Sequence, residues 1–336
     1  MRQIWISRIG DPSVLEVREA PDPTPAAGQI RIAVEASGVN FADLMARSGM
    51  YPDAPPVPCV VGYEVAGVID AIGEGVDESR MGEAVLAPVK FGGYSTSVCC
   101  DAIQAVRRPE GLGAVEAASI PIVGLTAWMT LEKMGRIREG DRVLVHSAGG
   151  GVGLMALELL KYRNCTAIGT ASKGKHEFLL ERGYDQLIDY RNDDFEAILK
   201  DNKVDLILDP IGGASWAKGM RVLRMGGRIV CFGVSTMITG NTRNVFSAIG
   251  MMIKVPWLKF NPMALMNENK GVMGVNLAYL TEDKAFATSM LVELMERYSE
   301  GAIRTHVHAT VPFDNAPEAH RILHDRENLG KVVLVP

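Results

Sequence analysis

The stretch "VLVHSAGGGVGLMALELLKY", Val143 to Tyr162, runs from an apolar segment into four glycines within five positions and then into a helix-like pattern. A glycine-rich turn is weak evidence by itself, so its setting decides. "RVLVHSA" before it reads as a strand, and "LMALELLKY" after it reads as a helix. Ala148, Gly150 and Gly153 fill the three small-residue slots of a G-x-G-x-x-G turn. Small residues there permit a tight turn and let backbone N–H groups, those of Gly151, Val152 and Gly153 included, approach a pyrophosphate at a helix N-terminus. A strand–helix packing turn without ligand is the plainer alternative, and the setting favours the phosphate cradle.

The next strand, "CTAIGTAS", bears on which dinucleotide is bound. NAD sites usually place an Asp or Glu about twenty residues past the glycines, on the ribose 2′-OH. Here the chain has Gly169, Thr170, Ala171 and Ser172, then Lys173 and Lys175. A hydroxyl and an ammonium suit a 2′-phosphate, whose charge an acidic side chain would repel. Solvated lysines at a helix start are the alternative. Tyr190 and Arg191, after the third strand, add a ring for adenine and a second cation. NADPH is therefore expected in preference to NADH.

Strands and helices alternate outward from the turn: "TAIGTAS", "HEFLLERG", "QLIDY", "FEAILKD", "VDLILDP", "ASWAKGMRVLRMG", "RIVCFGV". That alternation predicts βαβ units around a parallel sheet. Residues 1 to about 120 instead show short Val/Ile runs between Gly and Pro, such as "GQIRIAVEASGV" and "VAGVIDAIGEGV", the pattern of an antiparallel or partly closed β unit. The tail carries a helix over Glu282–Glu300 and the strand-like "HVHATVPF" and "KVVLVP". The expected fold class is α/β, with a nucleotide domain over 123–262 inserted into a discontinuous β-rich domain of 1–122 and 263–336. Between Ser235 and Met266 the alternation lapses into an apolar, Met-rich segment with interleaved basic residues. Its plainest reading is an interface lining; a substrate entrance and a membrane-surface patch are the alternatives.

The whole composition fits this picture. Of 336 residues 47% are hydrophobic and 22% charged, as in a globular protein, and the length suggests about two domains. With 35 basic and 40 acidic side chains the formal charge is -5, which gives no broad positive field for nucleic acid. No apolar run of about 18 residues predicts a membrane span, and no secretory signal is visible at the start. Five cysteines, an odd number with only Cys99 and Cys100 close together, suit a reducing cytoplasm better than a disulfide framework.

The segments "VNFADLMARSGMYP" (39–52), "GYEVAGVIDAIGEGV" (62–76), "GLTAW" (124–128), "VLVHSAGGGVG" (143–153), "GTASKGKHE" (169–177), "DPIGG" (209–213), "TGNTRN" (239–244) and "LGKVVLVP" (329–336) form an ordered series over nearly the full length. Together they resemble the quinone oxidoreductase (zeta-crystallin) branch of the medium-chain dehydrogenases/reductases, and within it the vesicle amine transport protein group. The resemblance implies a Rossmann doubly wound parallel sheet inserted into a GroES-like catalytic domain, and a homodimer. It places Asn40, Asp43 and Tyr51 near the nicotinamide, where an amide, a carboxylate and a phenol can orient a carbonyl and supply a proton. For Asp43 a salt bridge with Arg47, one helical turn on, is an equally good reading. Where related reductases carry a second tyrosine two positions after the Asp, this chain has Met45.

The resemblance further implies that Thr126 meets the cofactor's phosphate or ribose. Phe232, Gly233, Val275, Asn276 and Leu277 fall on its nicotinamide side, and Asn328 and Lys331 close over it from the tail. No catalytic zinc is expected. Zinc members carry Cys at or near Asn40 and His before the Glu of Gly62-Tyr63-Glu64, and no ligand set assembles from the residues here. Cys99 and Cys100 read as small apolar fillers and His146 as a packed strand residue. The expected activity is NADPH-dependent, zinc-independent reduction of an electron-poor small molecule, a quinone or an α,β-unsaturated carbonyl compound. An NADPH-binding protein of the vesicle amine transport type, without turnover and associated with a partner or membrane surface through its apolar 245–266 segment, is the rival.

Overall fold

The computed structural model describes residues 1–235, 261–280 and 282–336. The "TGNTRN" motif and residues 245–260 of the apolar segment lie outside the described residues. Eight strands come first: β1 (Arg2–Ile6), β2 (Leu15–Glu19), β3 (Gln29–Val39), β4 (Cys59–Val60), β5 (Glu64–Ile72), β6 (Ala84–Pro88), β7 (Ser97–Asp101) and β8 (Val106–Arg107). Six follow: β9 (Arg142–Val145), β10 (Thr166–Ala171), β11 (Gln186–Asp189), β12 (Val204–Asp209), β13 (Leu223–Cys231) and β14 (Gly271–Gly274). The last two are β15 (Val307–Pro312) and β16 (Lys331–Val335).

The chain divides into one unit of Met1–Leu125 with Leu277–Pro336 and a second of Thr126–Asn276. In the first unit β3 is the organising strand. It pairs antiparallel with β5, β7 and β16, in a sheet ordered β15-β16-β3-β5-β6-β8. Its alternation buries Ile30, Ile32 and Val34 with Val65, Ile69, Val85 and Val98, as expected where successive side chains point to opposite faces. A small sheet, β2-β1-β4, packs Ile4 and Ile6 with Leu44, Tyr94, Phe313 and Leu334 in a second core.

The second unit is a six-stranded sheet ordered β11-β10-β9-β12-β13-β14, every pair parallel. Leu144, Ile168, Ile188, Ile207 and Ile229 fill its core, near-continuous apolar strands being what a sheet covered on both faces requires. The order reverses at β9, which pairs β10 on one side and β12 on the other. In such sheets ligands bind beyond the carboxyl end of the strands at that switch point. The glycine turn follows β9 directly.

Both domain boundaries differ from those expected. Residues 263–276, assigned from the sequence to the β-rich domain, belong with the nucleotide unit, because β14 continues its ladder by pairing Arg228 to Cys231 with Gly271 to Gly274. The interruption before β14 hides this from sequence reading. At the other boundary, residues 123–125, assigned from the sequence to the nucleotide domain, fall in the first unit. The tail helix spans Lys284–Ser299, started by the Asp283 side chain accepting the Phe286 N–H. No helix among the described residues is long and apolar enough to cross a membrane.

Candidate functional site

The nucleotide features are built on the second unit. Ser147 takes a left-handed backbone, φ 57°, and turns the chain from β9 towards the helix Gly151–Tyr162, whose N-cap is Gly150. Ala148 N–H donates to the Thr170 carbonyl at 3.0 Å, which ties the turn to β10. The first-turn amides, those of Gly151, Val152 and Gly153, have no acceptor four residues back within the helix. Tyr184 donates its buried hydroxyl to the Gly153 carbonyl at 2.9 Å and braces the turn from behind. The arrangement fits a pyrophosphate: oriented donors, the positive end of a twelve-residue helix, and at Gly150 no side chain in the way.

The residues expected to tell NADPH from NADH lie at the end of β10. Ser172 caps a short 3-10 turn, Lys173–Lys175, with backbone geometry and leaves its side chain out of the cap. Tyr190 is 43% exposed, with the Arg191 guanidinium 5.9 Å from its ring centre. The nearest acid along the sheet, Asp189 at the end of β11, is turned to local use: it accepts from Asn192 Nδ2 at 2.6 Å and Arg191 N–H at 3.2 Å. These bonds, Asn192's first, hold its carboxyl below the ordinary range. The chain itself carries no acid from Gly169 to Lys175, while Asp189 lies beside Ala171 on the neighbouring strand.

His146, just before the turn, is buried. Its Nδ1 lies 3.0 Å from Thr170 Oγ1 and its ring is edge-on to Phe195. Burial lowers its pKa, with Asp209 acting against that shift. Phe232 N–H donates to the Asp209 carbonyl at 3.1 Å, and Val275 N–H to that of Cys231 at 2.9 Å, so both extend the sheet's end. Gly233 lies close against Pro210. Thr126 sits in the helix Pro121–Trp128, its carbonyl accepting from Thr130 Oγ1 at 2.8 Å. Asn276 ends the second unit, and Leu277 opens a short helix of the first.

The three residues expected at the reacting centre gather in the first unit, in different roles. Asn40 is the N-cap of the helix Phe41–Arg47, and Asp43 completes a capping box by accepting the Asn40 N–H at 2.7 Å. The other Asp43 oxygen accepts the Gly62 N–H at 2.9 Å, so one carboxylate ties the helix start to the loop before β5. Asp43 is fully buried, and burial pushes its carboxyl up to about 7 against the pull of those two amides and of nearby Lys331. It makes no ion pair with Arg47: both its oxygens are engaged by backbone. Both Asp43 oxygens are thus occupied by backbone N–H groups, of Asn40 and of Gly62. The signal was present, since Asn-x-x-Asp at 40–43 is a capping-box spacing.

Tyr51 is half-buried, its ring edge-on to Tyr63 with centroids 6.1 Å apart, and Tyr63 leans on Phe91 at 5.3 Å. Burial raises the Tyr51 phenol above its ordinary value, Asp53 adding to the shift, so it is a protonated donor at neutral pH. Tyr63, notable in the sequence only for standing where zinc members carry His, forms the wall behind it.

Lys331 is engaged otherwise than expected. It does not reach out from the tail but is 4% exposed, donating to the Val39 carbonyl at 2.8 Å, Asn40 Oδ1 at 2.8 Å and Glu64 Oε1 at 2.5 Å. Asn328 folds its amide onto the Gly330 carbonyl at 2.7 Å. Glu64, at the start of the buried stretch of β5, is a site residue that sequence reasoning missed, although a glutamate in an apolar strand calls for a buried partner.

Residues 26–131 match the model of the alcohol dehydrogenase GroES-like domain, and residues 182–334 that of the zinc-binding dehydrogenase. The rat synaptic vesicle membrane protein VAT-1 homolog is 37% identical over 96% of this chain and 80% of its own length. The chain belongs to the quinone oxidoreductase branch of the medium-chain dehydrogenases/reductases, with the VAT-1 homologs. Among solved structures it is similar to human VAT-1 homolog-like protein, at 29% identity and a TM-score of 0.86 over 100% of this chain and 98% of that one. It is equally similar to Escherichia coli quinone oxidoreductase complexed with NADPH, at 29% identity and a TM-score of 0.86 over the whole of both chains. Within the medium-chain dehydrogenases/reductases it departs from the zinc pattern at Gly62-Tyr63-Glu64. Among the described residues no three His, Cys, Asp or Glu side chains come together as metal ligands. Cys100 is packed in the apolar core of the first unit and Cys99 beside it is half-buried, both as free thiols.

Proposed function

We propose that the protein is an NADPH-dependent, zinc-independent reductase of electron-poor small molecules, quinones or α,β-unsaturated carbonyl compounds. The observation that carries the reading is the glycine turn at the sheet's switch point, followed by Ser172, Lys173 and Lys175 in place of an acid. The amides of Gly151, Val152 and Gly153 hold the pyrophosphate, Ser172 and Lys175 the 2′-phosphate, and Tyr190 the adenine ring. NADPH supplies a hydride. Tyr51, protonated at neutral pH, donates a hydrogen bond to the acceptor's carbonyl and a proton as charge develops there. Asn40 lines the same pocket, and Asp43 fixes its backbone by accepting its N–H.

The similarity to a quinone oxidoreductase solved with NADPH supports the cofactor and the reductase reading. Titration of NADPH and of NADH into the protein, followed by nicotinamide fluorescence, tests the cofactor. Tighter binding of NADPH is expected, and equal affinities would refute the assignment of Ser172 and Lys175.

A further inference from the structure

Asn40, Glu64 and Lys331 form a closed buried network that contains its own polarity. A side-chain amide has two N–H donors and one oxygen with two lone pairs. Asn40 gives one N–H to Glu64 Oε1 at 2.8 Å and directs the other at the Gly38 carbonyl, 3.4 Å away. Its Oδ1 accepts from Lys331 at 2.8 Å. Lys331 spends all three hydrogens on Val39, Asn40 and Glu64. Glu64 spends its second oxygen on the Ile122 N–H at 2.8 Å. The three residues are 7%, 0% and 4% exposed, so water competes little. Turning the amide over would set its NH₂ against an ammonium and its oxygen against a carboxylate, two repulsive contacts in a poorly solvated place. The backbone makes room for this: a Cβ on Gly38 would collide with Glu64 Oε1 and the Ala118 carbonyl.

We infer that Glu64 and Lys331 are positioning residues that fix the Asn40 amide, so that Asn40 meets bound molecules as a hydrogen-bond acceptor through Oδ1. This rests on the reading that Asn40 lines the reductase pocket. It replaces the expectation that Asn40 orients a carbonyl. An oxygen so fixed suits an amide N–H or a hydroxyl, such as that of the reduced product, and repels a carbonyl oxygen. Carbonyl recognition then falls to Tyr51.

The test compares Lys331→Met with the double variant Glu64→Gln/Lys331→Met. Lys331→Met leaves a buried carboxylate unpaired, and its Tm should fall by several degrees. In the double variant both charges are gone. The amide that replaces the Glu64 carboxylate can keep the Ile122 N–H on its oxygen only by aiming its own NH₂ at Asn40, which satisfies the network with the Asn40 amide inverted. We expect Tm to return to within about 2 °C of the parent, while kcat with a quinone stays down roughly tenfold or more and the KM for NADPH is little changed. Recovery of kcat together with Tm would overturn the inference and leave the pair a stabilising contact only.

A second readout does not depend on turnover. The Asn40 side-chain amide signals in a ¹H–¹⁵N spectrum, assigned by their loss in Asn40→Asp, should be protected from exchange in the parent and displaced in the double variant. Unchanged signals would overturn the positioning role even if no acceptor is reduced, whereas displaced signals in a protein without turnover would support it and refute the reductase reading alone.

Discussion

Gly153 lies so close to Ala148 that a Cβ there would stand 2.5 Å from the Ala148 carbonyl oxygen, with the Ser147 carbonyl oxygen at 2.7 Å. The same atom on Gly150 would meet only the Ser147 oxygen, at 3.3 Å, on a backbone with φ -81° that any residue adopts. The two glycines are therefore expected to serve different ends, Gly153 the packing of the turn and Gly150 the approach of a ligand. Gly153→Ala should destabilise the protein by about 1–3 kcal/mol, read by urea unfolding. Gly150→Val should stay folded, with at most about 1 kcal/mol lost from the helix cap, and yet fail to bind NADPH. Unchanged NADPH affinity in folded Gly150→Val would reduce the turn to a packing device.

Lys175→Ala should weaken NADPH binding by about 1.5–3 kcal/mol, the worth of a charge-assisted hydrogen bond, and leave NADH affinity unaltered. Equal losses for the two cofactors, measured by titration, would place Lys175 away from the 2′-phosphate.

Tyr51→Phe should lower the rate of quinone reduction by only about tenfold, less than the roughly 10²–10⁴ of an indispensable acid, because water can deliver the proton once hydride has moved. Asn40→Ala should harm the rate at least as much, since it also strips Glu64 and Lys331 of a shared partner. Steady-state rates of both variants decide, and a far larger loss for Tyr51→Phe would make the phenol the obligatory donor.

His320 is buried in the first unit with its Nε2 3.2 Å from the Tyr94 hydroxyl. Burial, with Arg47 nearby, pushes its pKa down to about 3. The unfolded imidazole binds a proton near pH ~6.5, so between those values the unfolded chain holds more protons. Stability contributed by keeping His320 neutral is thus lost as pH falls from about 6.5 towards 3. Asp43, pushed up to about 7, acts in the opposite sense over much of that range, which makes the difference between parent and variant the informative quantity. His320→Gln keeps a partner for Tyr94 and cannot titrate. The Tm of the parent relative to this variant should decline from about pH 7 to about pH 5, and parallel Tm profiles would contradict the burial of a neutral imidazole.

The nucleotide unit was legible because its signals are local: alternating elements, small residues at fixed spacing, and Ser172 where an acid would otherwise stand. Its last strand was not, since β14 follows an interruption of the pattern and is recognised as part of the sheet only by pairing with Arg228 to Cys231. In the first unit Asn40, Asp43 and Tyr51 stand out in the sequence, but the way they are engaged does not. Asp43 faces backbone amides, one of them on Gly62, and Lys331 meets Glu64 across 267 positions of chain. Contacts of that range leave only an indirect trace, a charged residue in an apolar strand.

The most direct test of the account is steady-state oxidation of NADPH by the purified protein with a benzoquinone or an enone, in the presence and absence of a strong chelator. NADPH should be consumed in step with the acceptor, faster than NADH, and at the same rate with chelator present. Tight NADPH binding without oxidation by any acceptor would contradict the reductase reading and leave a protein that holds the dinucleotide for another purpose.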